Sequence, residues 1–150
     1  MLQLSKKTLY AIESVLDIAY HAGGETVQSR EITRRQEIPR RYLEQALQQL
    51  VRHGILVGVR GPRGGYRLAR ERRRITVGDI IRVVNAGEPA EPLATEPASE
   101  LGRKVVRPLW VEFQADIMAR LDSVTIDDLC SRADAVGIAS EGRQHLDFSI

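Results

Sequence analysis

The sequence contains a single cysteine, Cys130, and this scarcity limits the chemistry that the chain can support. One thiol cannot form a disulfide within the chain. Because Cys130 follows Leu129 in a predicted short helix, we interpret it as a small buried thiol, and a redox-reactive thiol is the alternative. The three histidines, His21, His53 and His145, lack the spacing of a metal site, so we assign no metal ligands.

Long apolar runs are also missing. No run reaches the roughly 18 residues that cross a membrane, and the N-terminus lacks the apolar core of a signal peptide, so we expect a cytoplasmic protein. Ser-His-Asp, Cys-His, phosphate-loop and metal-helix patterns are absent, so we expect no enzymatic activity. With 150 residues, 43% of them hydrophobic, the chain is large enough for one compact domain with an extension.

Charge is distributed unevenly, although the formal net charge is only +2. Residues 1–75 hold 15 Lys and Arg against 7 Asp and Glu, a net charge of +8. Residues 76–150 hold 7 against 13, a net charge of −6. A strongly cationic half attracts polyanions, so we expect the first half of the chain to bind one.

An amphipathic helix is predicted within residues 38–54, from Pro39 to the turn at His53-Gly54. Its apolar side chains recur at i, i+3, i+4, i+7 and i+8 on one face: Leu43, Ala46, Leu47, Leu50 and Val51. The opposite face carries cations and amides, with Glu44 as its only acid: Arg41, Gln45, Gln48 and Arg52. Arg and Gln side chains read base edges well, and a solvated helix face is the plainer alternative.

Two short strands are predicted after this helix, over residues 55–60 and 66–69, with a tight loop at residues 61–65. A helix followed by such a hairpin is a winged helix. Arg60 and Arg63 lie at the predicted tip, where glycines allow close backbone approach and where a narrow minor groove would attract a cation. A polar tip that needs glycine only for its turn is the alternative.

Upstream, residues 4–22 predict a packing helix with Ser5 as its N-cap. Its expected apolar face comprises Leu9, Ile12, Val15, Leu16 and Ala19. Ser29 is predicted to cap a second helix over residues 30–36, which completes a helix-turn-helix. In that motif the first helix crosses the DNA backbone, so Arg30, Arg34 and Arg35 are expected near phosphates, where they supply salt-dependent affinity.

Downstream, the cationic run at residues 70–74 is either a solvated linker or an additional phosphate contact. Thr76 to Asp79 resembles a capping box that opens a helix through Val84. We therefore divide the chain into a winged helix-turn-helix domain over residues 1–86, an exposed loop over 87–104, a dimerisation helix with a short C-terminal helix over 105–134, and a flexible tail over 135–150.

The first helix after the predicted loop carries an apolar stripe that needs a partner surface, since the loop separates it from the core. The stripe members are spaced by four, three, four and four residues: Val106, Trp110, Phe113, Ile117 and Leu121. The short helix that follows is expected to be capped at Thr125. A homodimer would suit DNA binding, because two recognition helices on a two-fold axis read an inverted repeat.

Several segments closely resemble the Rrf2 family of bacterial winged-helix regulators, which includes IscR, NsrR and CymR. The densest matches are Tyr-Leu-Glu-Gln at residues 42–45, Gly-Ile-Leu at 54–56 and Val-Arg-Gly-Pro-Arg-Gly-Gly-Tyr-Arg-Leu at 59–68. The resemblance extends upstream to residues 5–11 and downstream through 75–81 to Leu109-Trp110, but not into the tail. It implies that the apolar stripe packs against its mate in a dimer.

The best-known sensors of this family hold an iron-sulfur cluster through three closely spaced cysteines before the dimer helix, with a fourth ligand that is not cysteine. This chain departs from that pattern. Counting back from Leu109-Trp110, Lys104 takes the place of the third cysteine and Arg107 that of the histidine ligand of IscR-like members. The departure excludes a thiolate-ligated cluster there, so we assign no cofactor.

We therefore predict a mostly α-helical fold with a small β-hairpin wing and a long dimerisation helix. The predicted function is that of a homodimeric, sequence-specific transcriptional repressor that binds an inverted-repeat operator in double-stranded DNA and responds to a small molecule or a protein. The predicted DNA contacts are Ser29, Arg30, Arg34, Arg40, Arg41, Tyr42, Gln45, Gln48, Arg60 and Arg63. The alternatives are a winged-helix module that binds a protein, and a CymR-like regulator whose DNA binding is set by an enzyme partner.

Overall fold

The computed structural model describes residues 5–86 and 99–142. Its regular elements are α1 (Lys6–His21), α2 (Ser29–Gln36), α3 (Arg40–Arg52), β1 (Leu56–Val59), β2 (Gly65–Leu68), α4 (Val77–Ala86), α5 (Arg107–Asp122) and α6 (Ile126–Ala135). A short 3-10 turn precedes α4, and a π-helical turn leads into α5. The arrangement confirms the prediction of a mostly helical fold with a small hairpin. The helices in the described part of the chain are too short or too polar to span a membrane.

The core forms where α1, α3 and α4 meet. On α3 the predicted stripe is confirmed for its four buried members, Leu43, Ala46, Leu47 and Leu50. Val51 is 37% exposed and lies at the edge of that stripe. Full burial of one Leu contributes about 1.5–3 kcal/mol, so this face holds α3 in place and leaves its other face outward.

The N-cap of α1 is Ser5, as predicted, but the buried face of the helix is different from the prediction. Val15 and Ile18 are fully buried, whereas Leu9 is 48% exposed. Asp17 lies on the buried face although it is charged. Because α1 packs against several elements at once, it buries a face wider than its apolar pattern, and that face includes polar side chains with partners of their own.

The wing is an antiparallel hairpin whose register runs from Leu56 opposite Leu68 to Val59 opposite Gly65. The first strand is one residue shorter at each end than predicted, and the second has the predicted length but begins one residue earlier. The connection between α1 and α2 adds an edge to this sheet, because Val27 and Tyr66 exchange backbone hydrogen bonds of 2.9 and 2.8 Å. The wing is therefore docked on the connection between α1 and α2 as well as on α3.

Capping boxes begin α4 and α6; the box at Thr76 was predicted, and at Thr125 a cap was predicted. Thr76 and Asp79 exchange hydrogen bonds of 3.0 Å at the start of α4. Thr125 caps α6 in the same way. Arg82 of α4 donates two hydrogen bonds, of 2.8 and 2.5 Å, to Asp122 at the end of α5. This pair joins α5 to the winged helix.

The predicted loop over residues 87–104 is wrong where the structure describes it. Residues 87–98 lie outside the described residues, but residues 100–104 are helical and continue into α5. Pro108 lacks the N–H that would bond to the carbonyl four residues back. The π-helical turn Gly102–Val106 lies directly before this proline. In it the Arg107 N–H donates to the Gly102 carbonyl, which is five residues back instead of four.

The predicted flexible tail over residues 135–150 is wrong for residues 138–141, which pack on α1 and α2. The Tyr20 hydroxyl donates to the Ile138 carbonyl, and the Ser140 hydroxyl donates to the Tyr20 carbonyl at 2.5 Å. The Glu141 N–H donates to Nδ1 of His21 at 3.1 Å. Burial lowers the pKa of His21, which favours the neutral ring that such an acceptor requires. Residues 143–150 lie outside the described part of the chain.

Candidate nucleic-acid interface

The outer face of α3 presents polar side chains opposite its buried stripe. The predicted contacts on this face are all exposed: Arg41, Tyr42, Gln45 and Gln48. The ring of Tyr42 packs beside that of Tyr10, with 5.9 Å between their centroids. Gln45 and Gln48 line a shallow groove together with Lys7 and Arg52. This surface combines cations with amides, which is the composition that reads base edges.

Arg40 lies at the start of α3, where Glu44 offsets its charge. The Arg40 Nε lies 3.0 Å from the Glu44 carboxylate one turn later, and both side chains are exposed. Such a pair contributes only about 0.3–0.5 kcal/mol, so a phosphate could displace the acid. By contrast, Arg41 and Arg63 form no ion pair with an acid among residues 5–86 and 99–142.

The first helix of the motif begins one residue earlier than predicted. Gln28, not Ser29, is the N-cap, and its N–H donates to the Glu31 carboxylate at 2.8 Å. Ser29 is half-buried as the first helical residue, and Arg30 is exposed beside it. Arg30 and Arg63 line one groove between α2 and the wing. The structure thus brings together two of the predicted cations that are distant in sequence.

The expectation that Arg35 lies near phosphates is wrong, because Arg35 forms a buried ion pair. Its side chain is 9% exposed, and its Nε and NH2 groups donate to Asp17 at 2.9 and 2.8 Å. A third bond, 2.6 Å long, joins Arg35 to Glu141. Glu141 also accepts from Arg34 at 3.1 Å, but Arg34 remains 64% exposed and accessible to a phosphate.

The wing tip places Arg60 and Arg63 at the surface, as predicted. The turn closes through a 2.8 Å bond from the Gly64 N–H to the Gly61 carbonyl. A second bond comes from outside the wing, since the Thr26 hydroxyl donates to the Arg63 carbonyl at 2.7 Å. Sequence reasoning missed Thr26, because nothing in its local pattern points to a partner 37 residues away. It also missed Arg67, which lines the groove beside Arg63.

The cationic run after the wing contacts α6. Arg72 lies 2.7 Å and Arg73 3.8 Å from the Asp127 carboxylate. These pairs tie Arg72 and Arg73 to the body of the protein, and a phosphate contact by Arg70 or Arg74 stays a prediction. Cys130 is 4% exposed on α6, and burial raises the pKa of its thiol. This confirms the interpretation of Cys130 as a small buried thiol.

The residues at the start of α5 do not fit an iron-sulfur cluster. Lys104 is exposed, and its ammonium lies 3.6 Å from the Glu100 carboxylate. Arg107 has no lone pair to offer a metal. Within residues 5–86 and 99–142, no three His, Cys, Asp or Glu side chains are grouped so that they could hold a metal ion. We therefore derive no chemistry from a cluster.

None of the side chains of α5 is buried among the residues that the structure describes. Four of the five stripe members are between 43% and 58% exposed, namely Val106, Trp110, Phe113 and Ile117. Leu121 is half-buried. The rings of Trp110 and Phe113 meet edge to face, with 6.5 Å between their centroids. The helix thus presents an apolar surface that residues 5–86 and 99–142 do not cover.

Comparison with known proteins identifies the family. A family model described as Rrf2, iron-dependent transcriptional regulator, matches residues 4–132. The HTH-type transcriptional regulator IscR of Sodalis glossinidius is 33% identical over 138 residues, which cover 91% of this chain and 84% of that protein. The structure of CymR, the global cysteine regulator of B. subtilis, has a TM-score of 0.72 at 32% identity and covers 88% of this chain and 98% of its own. T. potens IscR has a TM-score of 0.73 at 35% identity and covers 93% of both chains. These relatives are transcriptional regulators and not enzymes, and this chain belongs to the Rrf2 family of DNA-binding transcriptional regulators.

Proposed function

We propose that the protein is a cytoplasmic, homodimeric repressor that binds an inverted-repeat operator through α3 and the wing. One observation carries this proposal: α3 buries its apolar stripe and leaves Arg41 and Gln45 outward, while the wing presents Arg63 at its tip. A helix of this kind enters the major groove, and a cation on a hairpin suits the narrower minor groove. Phosphate contacts from Arg30 and Arg34 would set the orientation on the duplex.

The uncovered stripe on α5 supports the homodimer. Apolar surface of this extent is costly in water, and a second copy of the same helix would cover it by two-fold symmetry. Two recognition helices related in this way read two half-sites of opposite orientation. We propose repression because a dimer bound across a promoter would exclude the polymerase from the same DNA.

The operator can be found by sequencing the genomic DNA fragments that the purified protein retains. We expect an inverted repeat to be enriched, and the affinity for the corresponding duplex to fall steeply as salt rises. A winged helix that binds a protein would retain no particular fragment and would show no such salt dependence. That outcome would indicate that the partner is a protein and not DNA.

Alanine substitution of Arg41, Gln45 or Arg63 is expected to weaken operator binding without affecting the fold. Loss of a base contact should cost about 1–3 kcal/mol and relax discrimination at one position. Loss of a phosphate contact should weaken all sequences and reduce the salt slope by about one. Titration of the operator duplex at several salt concentrations separates the two cases. Arg132→Ala on α6 is the control, and unchanged affinity of the Arg63→Ala protein would contradict the role of the wing.

We further propose that control comes from a small molecule or a protein partner acting where α4 meets α5. The Arg82–Asp122 pair at this junction links the winged helix to the apolar helix. Displacement there would change the spacing of the two recognition helices in a dimer. A tenfold effect on DNA affinity requires about 1.4 kcal/mol of differential binding, which is ordinary for allosteric coupling.

The protein without a cluster is expected to be the form that binds DNA. The test is to purify the protein without oxygen, attempt reconstitution with iron and sulfide, and measure iron, visible absorbance and operator affinity together. Because no thiolate lies near Lys104, we expect substoichiometric iron, no chromophore and unchanged affinity. Stoichiometric iron with operator binding that depends on it would contradict the proposal and would indicate ligands other than cysteine.

A further inference from the structure

Thr26 connects two parts of the DNA-binding surface that are far apart in sequence. It lies between α1 and α2, and its hydroxyl donates to the carbonyl oxygen of Arg63 at 2.7 Å. The Gly64 carbonyl oxygen lies 3.3 Å from the same hydroxyl. Both acceptors belong to the wing tip. Thr26 is half-buried; its bond to the Gly64 carbonyl is partly shielded from water, whereas its bond to the Arg63 carbonyl is exposed.

The backbone around Thr26 brings the wing close enough for this bond. Val27 pairs with Tyr66 on the second wing strand. Gly65 permits the approach, since a Cβ atom at that position would lie 2.5 Å from the Val27 carbonyl oxygen. At Gly64, a Cβ atom would lie 2.4 Å from the Val59 carbonyl oxygen. Backbone hydrogen bonds between Val27 and Tyr66 therefore hold the base of the wing, and the Thr26 hydroxyl holds its tip.

The tip needs such a support because it is rich in glycine. Glycine has the widest conformational freedom of the residues, so a loop that contains it loses much entropy when DNA orders it. A bond that holds the Arg63 carbonyl before DNA arrives reduces that loss. Thr26 also precedes α2 by only three residues, so the same bond sets the spacing between Arg30 and Arg63 across their shared groove.

We infer that Thr26 is a positioning residue for DNA recognition, which holds the wing tip so that Arg63 is presented to the minor groove. The inference rests on the proposed function, because it assumes that the wing contacts DNA. Thr26 itself need not touch the duplex. Its effect on affinity must then pass through Arg63, and this dependence can be measured.

The variants for the test are Thr26→Val, which keeps the shape and removes the hydroxyl, and Thr26→Ser, which keeps the hydroxyl. Affinity is measured for the operator duplex recovered from genomic DNA and for a scrambled duplex of equal length. Thr26→Val should weaken operator binding by about threefold to tenfold, the usual effect of one hydrogen bond. Thr26→Ser should bind nearly as well as the parent protein. Hydroxyl-radical footprints at saturating protein should lose protection only beneath the wing in the valine variant, which a general loss of stability would not produce.

A thermodynamic cycle with Arg63→Ala decides whether Thr26 acts through the wing tip. In the Arg63→Ala background, Thr26→Val should cause no further loss of affinity. An equal loss in both backgrounds, or full affinity of the single Thr26→Val protein while Arg63→Ala binds weakly, would overturn the inference and leave the proposed function intact. Full affinity of Arg63→Ala would instead remove the wing from the proposed function, and the role of Thr26 with it.

Discussion

Phe113→Asp is expected to convert the protein to monomers and to reduce operator affinity by about 100-fold or more. Phe113 is 47% exposed at the centre of the stripe on α5, so the substitution leaves the subunit core untouched. In a dimer, however, it would bury an unpaired carboxylate on both sides of the two-fold axis. A monomer keeps one recognition helix and loses the gain from binding two half-sites together.

Analytical ultracentrifugation over a range of concentrations measures the change of assembly, and circular dichroism shows whether the helices remain. Val111→Asp is the matched control, because Val111 is 53% exposed on the same helix but lies about 160° around the helix from Phe113 at 100° per residue. It should leave the dimer intact. A Phe113→Asp protein that remained dimeric would show that the stripe is not the interface.

Arg35→Ala is expected to lower the free energy of unfolding by about 3–5 kcal/mol, because it leaves the Asp17 carboxylate buried without its cation. Asp17 has no exposed side-chain surface, and Gln36 would remain as a neutral donor 2.9 Å away. Urea denaturation measures the loss. The double substitution Arg35→Met with Asp17→Leu should recover much of it, since an apolar pair of similar volume needs no compensating charge.

Glu141→Gln tests the second acid that pairs with Arg35, and its effect on stability is compared with that of Arg35→Ala. Burial alone would raise the pKa of the Glu141 carboxyl, but Arg35 and Arg34 together lower it below its ordinary value of 4.5. A carboxyl whose pKa is lowered on folding stabilises the native state above its unfolded pKa, and this contribution disappears as the pH falls through the folded value. The stability difference between the parent protein and Glu141→Gln should therefore be small at neutral pH and vanish in acid. Because Glu141 is 40% exposed, its effect should be much smaller than that of Arg35→Ala.

DNA binding separates the structural role of Arg35 from the phosphate contact that its position in α2 suggests. At a temperature where the Arg35→Ala protein is folded, its salt slope on operator DNA should equal that of the parent protein. A slope reduced by about one would mean that Arg35 contacts a phosphate after all. An equally large loss of stability in Glu141→Gln would show that Glu141, and not Asp17, is the main partner.

Local patterns in the sequence were sufficient to predict the elements that form the candidate interface. The apolar spacing from Leu43 to Leu50 predicts which face of α3 is buried, because a helix repeats every 3.6 residues whatever it packs against. The glycines between Arg60 and Tyr66 predict a tight turn, since few other residues adopt its conformations. The boxes at Thr76 and Thr125 mark helix starts through bonds that span only three residues. Each of these features depends on neighbours in the chain.

Tertiary structure alone decided which of the cations remain available to a phosphate and which are used within the fold. Arg34 and Arg35 are adjacent in the sequence, yet one is largely exposed and the other is paired with Asp17, because α1 carries that acid to the buried side of α2. The docking of residues 138–141 and the bond from Thr26 to the wing have the same origin. They join groups that are between 37 and 120 residues apart, many of them through backbone atoms that every residue type carries. Side-chain patterns cannot reveal such contacts, since they arise only when packing of the core brings distant segments together.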